Sequence, residues 1–192
     1  MGDIFAERCA SPMLIAQQQE AFDDPDYIYE LKLDGFRCLC YVDRNMVDFR
    51  NKRNMQMLSK FPEIGRIFQN VSGKCILDGE IVVLTEGVPD FYRLQKRTLL
   101  TDKFKIEMES QRFPASFVAF DCIYQGSREL VWEPLLKRKE ILERLISENE
   151  RIAVSRFIET EGKALYQAAD ERKLEGVVAK RKESLYFMGK RS

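Results

Sequence analysis

The stretch YIYELKLDGFR, residues 27–37, sets Lys32 between Glu30 and Asp34 at alternate positions and then runs into Gly35. In an extended strand alternate side chains share a face, so Ile28, Glu30, Lys32 and Asp34 point one way and Tyr27, Tyr29, Leu31 and Leu33 the other. This predicts a strand with one face in the core and one carrying charge. A lysine between carboxylates is most often a solvated, salt-bridged residue; as a reacting group it is an amine nucleophile, effective only as the free base. The chain contains no histidine, which excludes Ser–His, Cys–His and His-ligated metal chemistry within it. Any reaction must run on lysine, arginine and carboxylates.

Two more acidic stretches suit such a reaction. In CILDGEIVVL, residues 75–84, Asp78 and Glu80 share a strand face with Ile76, Val82 and Leu84, opposite Leu77, Ile81 and Val83. Glu175 precedes Gly176 and the apolar Val177-Val178-Ala179, which ends in Lys180-Arg181-Lys182. Singly, each is a strand-end salt-bridge candidate. Together they place charge at the mouths of several apolar strands, which describes a site.

The elements that must position these residues read as one domain of 192 residues, 45% hydrophobic and 32% charged, enough to build a core. No apolar run approaches the ~20 residues of a membrane span, and the N-terminus lacks a signal pattern, so a cytoplasmic protein is expected. Cys9, Cys38, Cys40, Cys75 and Cys122 are an odd number without a CxxC pair, which argues against a disulfide framework or zinc site and predicts reduced core residues. The net charge of zero does not announce a nucleic-acid binder. Basic residues nevertheless recur at 50–54, 95–97, 180–182 and 189–191, weak pointers to an anionic partner.

Strand signals dominate the first two thirds. FRCLCYV pairs with YIYELKL through an Asp34-Gly35 turn, MVDFR follows, and residues 74–84 and 115–124 complete an antiparallel sheet. Helices are expected from Pro62 to Phe68, from Pro134 with Leu135, Leu142, Leu145 and Ile146 along one side, and from Thr160 to Arg172. The class is α+β.

Lys32-Leu33-Asp34-Gly35 with Arg37 resembles the KxDG nucleophile motif of the covalent nucleotidyltransferases, the polynucleotide ligases and RNA capping enzymes. The family's order continues with Arg50-Asn51, Leu77-Asp78-Gly79-Glu80, Phe117 to Asp121, and Glu175-Gly176-Val177-Val178-Ala179-Lys180. SPML at 11–14, KFPEI at 60–64 and the ending LYFMGKRS further resemble bacterial ATP-dependent DNA ligases of the end-joining type. The resemblance implies a covalent nucleotidyltransferase (ATP-grasp-like) adenylation domain over 1–192, α+β, with two antiparallel β-sheets and flanking helices around a nucleotide cleft. Lys32 would attack the α-phosphate of ATP, release pyrophosphate and hold AMP as a phosphoramidate. AMP would pass to the 5′-phosphate of a DNA nick, which the 3′-OH then seals.

By the same resemblance, Glu30 contacts adenine and Phe120 stacks on it, although Phe120 reads nearly as well as plain core. Arg37 and Arg50 face ribose and phosphate oxygens, and Lys180 faces the α-phosphate. Glu175 is the first candidate for holding Mg²⁺ (or Mn²⁺), Glu80 serves metal or ribose, and Asp34 serves metal in a later step. Arg50, Asn51, Lys96 and Arg97 contact the DNA backbone. The implied partners are nicked or broken duplex DNA and a C-terminal oligonucleotide-binding barrel. The protein would be a monomer off the membrane, working at the nucleoid in DNA repair, recombination and replication. The sequence reaches Ser192 just before the family's tryptophan and lysine pair and holds no barrel, which implies an adenylation-domain piece. It also leaves no room for the extra N-terminal domain of NAD-dependent ligases, so ATP is the expected cofactor. The rival readings are an RNA ligase or capping-type nucleotidyltransferase, and a non-catalytic nucleic-acid-binding module.

Overall fold

The computed structural model describes residues 2–191, so Ser192 of the LYFMGKRS ending lies outside the described residues. Its strands are β1 (Tyr27–Leu31), β2 (Phe36–Asp43), β3 (Met46–Asn51), β4 (Cys75–Thr85), β5 (Val88–Pro89), β6 (Ala115–Gln125), β7 (Arg128–Glu129), β8 (Ile152–Val154), β9 (Phe157–Glu159) and β10 (Val177–Arg181). The helices are α1 (Ile4–Glu7), α2 (Phe91–Leu99), α3 (Lys103–Arg112), α4 (Leu135–Leu145) and α5 (Gly162–Glu171). Two sheets form: a three-stranded one in the order β10-β1-β9, and a seven-stranded one built on β3-β2-β4-β6-β7.

The expected hairpin of residues 27–33 with FRCLCYV does not form. β1 pairs antiparallel with β10 and β9, while β2 pairs with β3 and β4 in the other sheet. The Asp34-Gly35 link is therefore the point where the chain changes sheets. Gly35 is required there by close approach: a Cβ would sit 2.4 Å from the Ile81 carbonyl oxygen. One pairing is also not antiparallel, because β8 joins β6 in parallel.

The alternation in β4 is realised as expected, with Leu77, Ile81 and Val83 in the main core beside Phe49, Phe117 and Leu142. Burying a side chain of that size stabilises by about 1.5–3 kcal/mol, and truncating Phe117 to alanine is expected to cost roughly 3–5 kcal/mol. β1 departs from its predicted two-faced pattern. Ile28, Tyr29 and Glu30 are all buried and Leu31 is exposed: Lys139 of α4 reaches Glu30 on the face read as charged, and α5 and Phe22 pack against the strand at Tyr29. Cys38, Cys40, Cys75 and Cys122 are buried as free thiols, whereas Cys9 is exposed.

α4 and α5 fall where the sequence put them. The Pro62 segment does not make one helix; it forms short 3₁₀ turns at Pro62–Ile64 and Ile67–Asn70, interrupted at Gly65 and Arg66. α2 and α3, absent from the sequence reading, are each capped by an aspartate. Asp90 accepts from the Arg93 amide at 3.0 Å and Asp102 from the Lys105 amide at 2.9 Å, satisfying orphan donors of the first turn.

Candidate active site

Lys32 stands one residue beyond β1, where its amide donates to the Gly176 carbonyl at 2.9 Å and so extends the pairing with β10. This brings the chain before β10 alongside the KxDG segment. The Lys32 ammonium pairs with the Glu175 carboxylate, and both side chains remain about a third exposed, at 37% and 36%. A lysine so placed is reachable from solvent and held by one acid. Its remaining donors are uncommitted to the fold.

Deeper in, Glu30 is engaged by two ammonium groups from different elements. Lys180 of β10 donates to Oε2 at 2.5 Å, and Lys139 of α4 pairs with Oε1. Burial pushes Lys180 down to about 8, with Asp121 pulling the other way. Burial also pushes Lys139 well down and the Lys180 ammonium adds to the fall, with Glu143 pulling the other way. Glu30 thus joins β1, β10 and α4 in one buried charge cluster.

Phe120 is neither in the packed core nor free. β6 bulges against β4 where Asp78 pairs with Asp121 and Gly79 with Ala119, which leaves Phe120 without an opposing residue. Gly79 permits this, because a Cβ there would lie 2.5 Å from the Val118 carbonyl oxygen. The half-buried ring carries the Arg37 guanidinium 4.3 Å and the Lys180 ammonium 4.5 Å from its centroid. Arg37 is held by Asp78 through a fork of 2.6 and 2.7 Å, and by the Met13 carbonyl at 3.2 Å. Tyr186 donates a 2.5 Å bond to the same fully buried Asp78 and accepts from the Met13 amide at 3.0 Å. Asp78 therefore positions Arg37 and is itself spent.

Glu80 lies opposite Arg37 in the β2–β4 pairing. Burial pushes its carboxyl up to about 8; Arg37 and Lys32 pull it down, while Asp78 and Asp34 add to the rise. Lys32, Asp34 and Glu80 are thus within electrostatic reach of one another. Among the described residues no three acidic side chains converge into an all-protein cation cage. Exposed Glu175 and nearby Glu80 still fit magnesium chemistry, since Mg²⁺ keeps several waters and takes one or two carboxylates plus substrate phosphates.

Of the four residues expected to meet the DNA backbone, three are engaged within the fold. Arg50 is tied to Asp48 at 2.9 Å and to the Asn54 carbonyl at 3.1 Å, and the Asn51 side chain accepts from the Arg53 and Met55 amides; both secure the turn after β3. Arg97 cannot contact DNA as expected: it is 1% exposed, pairs with Glu63 and donates to the Phe113 and Lys60 carbonyls at 3.0 Å. Only Lys96 is outward-facing, over the Tyr92 ring at 4.1 Å, beside a groove of about 620 Å³ between α2 and α3. Sequence reasoning missed Lys139, Arg138 and Tyr186. For the first two a signal existed: 138 and 139 fall on the i, i+3, i+4, i+7 stripe with Leu135 and Leu142, so two cations were written into the core face of α4.

Two sheets flanking a cleft, with a lysine at a strand end and facing carboxylates, define the adenylation fold of the nucleotidyltransferases. A family model described as ATP dependent DNA ligase domain matches residues 5–192, and the chain belongs to that family. It is 31% identical over 183 residues to the SPbeta prophage-derived DNA ligase-like protein LigB of Bacillus subtilis (strain 168), covering 95% of this chain and 64% of that one. It is 35% identical over 133 residues to DNA ligase C of Mycobacterium tuberculosis (strain ATCC 25618 / H37Rv), covering 69% of this chain and 36% of that one. Among solved structures, mycobacterial DNA ligase D complexed with ATP and MES superposes with a TM-score of 0.80 at 26% identity, over 95% of this chain and 57% of that one. The chain therefore spans between about a third and two thirds of the length of these relatives.

Proposed function

We propose that the chain is the adenylation domain of an ATP-dependent DNA ligase, and that Lys32 is its nucleophile. The observation that carries this is the placement of Lys32: it is a solvent-reachable lysine just past the end of β1, paired with Glu175, within electrostatic reach of Glu80, and on the strand segment whose Glu30 holds Lys180 over the Phe120 ring. Deprotonated Nζ attacks the α-phosphorus of ATP. The nitrogen–phosphorus bond forms as the bond to the β-phosphate oxygen breaks, pyrophosphate leaves with the electron pair, and the proton of Nζ goes to solvent. Lys180 and Arg37 supply fixed positive charge where phosphate charge shifts, and Phe120 offers a face to the base. Glu175 and Glu80 are the side chains that would hold Mg²⁺, which when bound offsets phosphate charge.

In the longer protein that the relatives' lengths suggest, the AMP passes to the 5′-phosphate of nicked or broken duplex DNA in the cytoplasm, where a monomer acts in repair. Among the described residues no helix is long and apolar enough to cross a membrane. Lys96 and the neighbouring bases of α2 and α3 are suited to backbone phosphates.

The test is the intact mass of the chain after incubation with ATP and Mg²⁺. The reading predicts a gain of one AMP with ATP and none with GTP or NAD. A GMP adduct would favour a capping-type enzyme, and no adduct at all would favour a binding module.

A further inference from the structure

Arg138 and Lys139 are neighbours on α4, yet each grips a different sheet. Arg138, fully buried, forks onto Asp121 of β6 at 2.8 and 2.9 Å, next to the Phe120 bulge. Lys139, 2% exposed, pairs with Glu30 of β1. One turn of helix thus ties together the two sheets whose separation defines the cleft. Stability alone gives little reason for a lysine at 139, since burying an ammonium costs several kcal/mol that a well-packed apolar side chain avoids.

We propose that Lys139 is a positioning residue of the adenylation site: by holding Oε1 of Glu30 against α4, it sets the slot between β1 and the Phe120 ring and leaves Lys180 free to serve nucleotide phosphate. This rests on the reading of the cleft as an ATP site. The argument is one of shared charge. Glu30 carries a single negative charge and faces two ammonium groups. While Lys139 satisfies one oxygen, Lys180 is bound to Glu30 through the other alone and keeps further donors available. Remove Lys139, and Lys180 becomes the sole counter-ion of a carboxylate that is 3% exposed, where a charge pair binds far more strongly than in water. Lys180 is then drawn toward Glu30 and away from phosphate, and β1 loses its tie to α4. Lys139 acts through Glu30 and Lys180 and touches no reacting atom.

The experiment follows single-turnover AMP attachment to the chain over a series of ATP concentrations. In Lys139→Met the half-saturating ATP concentration should rise about tenfold while the maximal rate changes by less than about threefold, the size of effect expected from one lost charge-assisted contact. Lys139→Arg, which restores the cation, should recover most of the ATP affinity. Glu30→Gln removes the charge that draws Lys180, so adding it to Lys139→Met should not weaken ATP binding beyond the weaker-binding single variant, because both act through one contact. A purely structural lysine would lower the melting temperature and leave the half-saturating concentration within about twofold of wild type; that result, or effects that multiply in the double variant, overturns the proposal. If Lys139→Met does not fold, Lys139→Gln, which keeps a polar group beside Glu30 but no charge, decides it by the same criteria. If wild type forms no adduct, the adenylation reading fails, and ATP binding by calorimetry then decides the positioning claim: about tenfold weaker binding in Lys139→Met supports it, and equal or undetectable binding in both proteins overturns it.

Discussion

The arginine ion pairs that hold the seven-stranded sheet and the lysine ion pairs that line the cleft are built differently. Arg97 and Arg138 are buried, fork onto Glu63 and Asp121, and spend further donors on backbone carbonyls: Phe113 and Lys60 for Arg97, Glu133 and Ser184 for Arg138. Arg138 engages Nε and both Nη groups, and Arg97 engages both Nη groups while its buried Nε has no partner; held at several points each, they act as fixed rivets. Lys32 and Lys180 each hold one carboxylate oxygen, and both keep solvent access or a neighbour with which to exchange. An ammonium on a flexible stem can trade a carboxylate for a phosphate; a doubly forked buried guanidinium cannot. Arg37 is intermediate, forked onto Asp78 but lying over the open face of Phe120.

The contrast is broken most severely at Lys32. Lys32→Arg keeps the charge beside Glu175 but removes the nucleophile, so adduct formation should vanish while the melting temperature stays close to wild type; an undiminished AMP adduct would contradict the assignment. Among the rivets, Arg138→Met leaves Asp121 buried and unpaired, and is expected to cost about 3–5 kcal/mol of stability in urea unfolding. A loss below about 1 kcal/mol would mean that the fork is not structural.

Glu80 sharpens the comparison by pH. Its carboxyl is raised in the fold to about 8 from the usual 4.5, so the folded state binds the extra proton between those values. Stability from this group is therefore full below pH 4.5 and is lost as pH climbs toward 8. Glu80→Gln removes that loss, and its advantage over wild type should grow between pH 5 and pH 8 by up to a few kcal/mol, at about 1.4 kcal/mol per pKa unit. Parallel stability curves for the two proteins would refute it. The smallest effect is expected at Glu175, whose pair with Lys32 is about a third exposed. Glu175→Ala should slow magnesium-dependent AMP attachment about tenfold, or ~1.4 kcal/mol of barrier, while changing stability by less than ~1 kcal/mol. An equal loss of stability and rate would assign Glu175 to the fold.

Much of the site was legible because its residues lie at strand ends in fixed local patterns. Strand parity separated Asp78 and Glu80 from the core-facing Leu77, Ile81 and Val83 of β4 but misread the burial of β1, and both glycines that allow close approach, Gly35 and Gly79, sit inside the motifs themselves. What failed depended on distant partners. Asp34-Gly35 reads as a hairpin turn from its dipeptide, but β1 finds lower energy between β9 and β10, far along the chain. QKR at 95–97 reads as one basic run, yet the helical turn of α2 sends Lys96 outward and Arg97 into Glu63. Lys139 was hidden because its partner, Glu30, is more than a hundred residues away, on β1.

The most direct test of the account is where AMP attaches. Wild-type chain incubated with ATP and Mg²⁺, digested at acid-labile-safe neutral or higher pH and mapped by tandem mass spectrometry, should carry AMP on the peptide containing Lys32 and on no other. AMP on Lys180, Lys139 or Lys190 would contradict the claim that the exposed lysine at the end of β1, and not one of the cleft's supporting cations, is the reacting group.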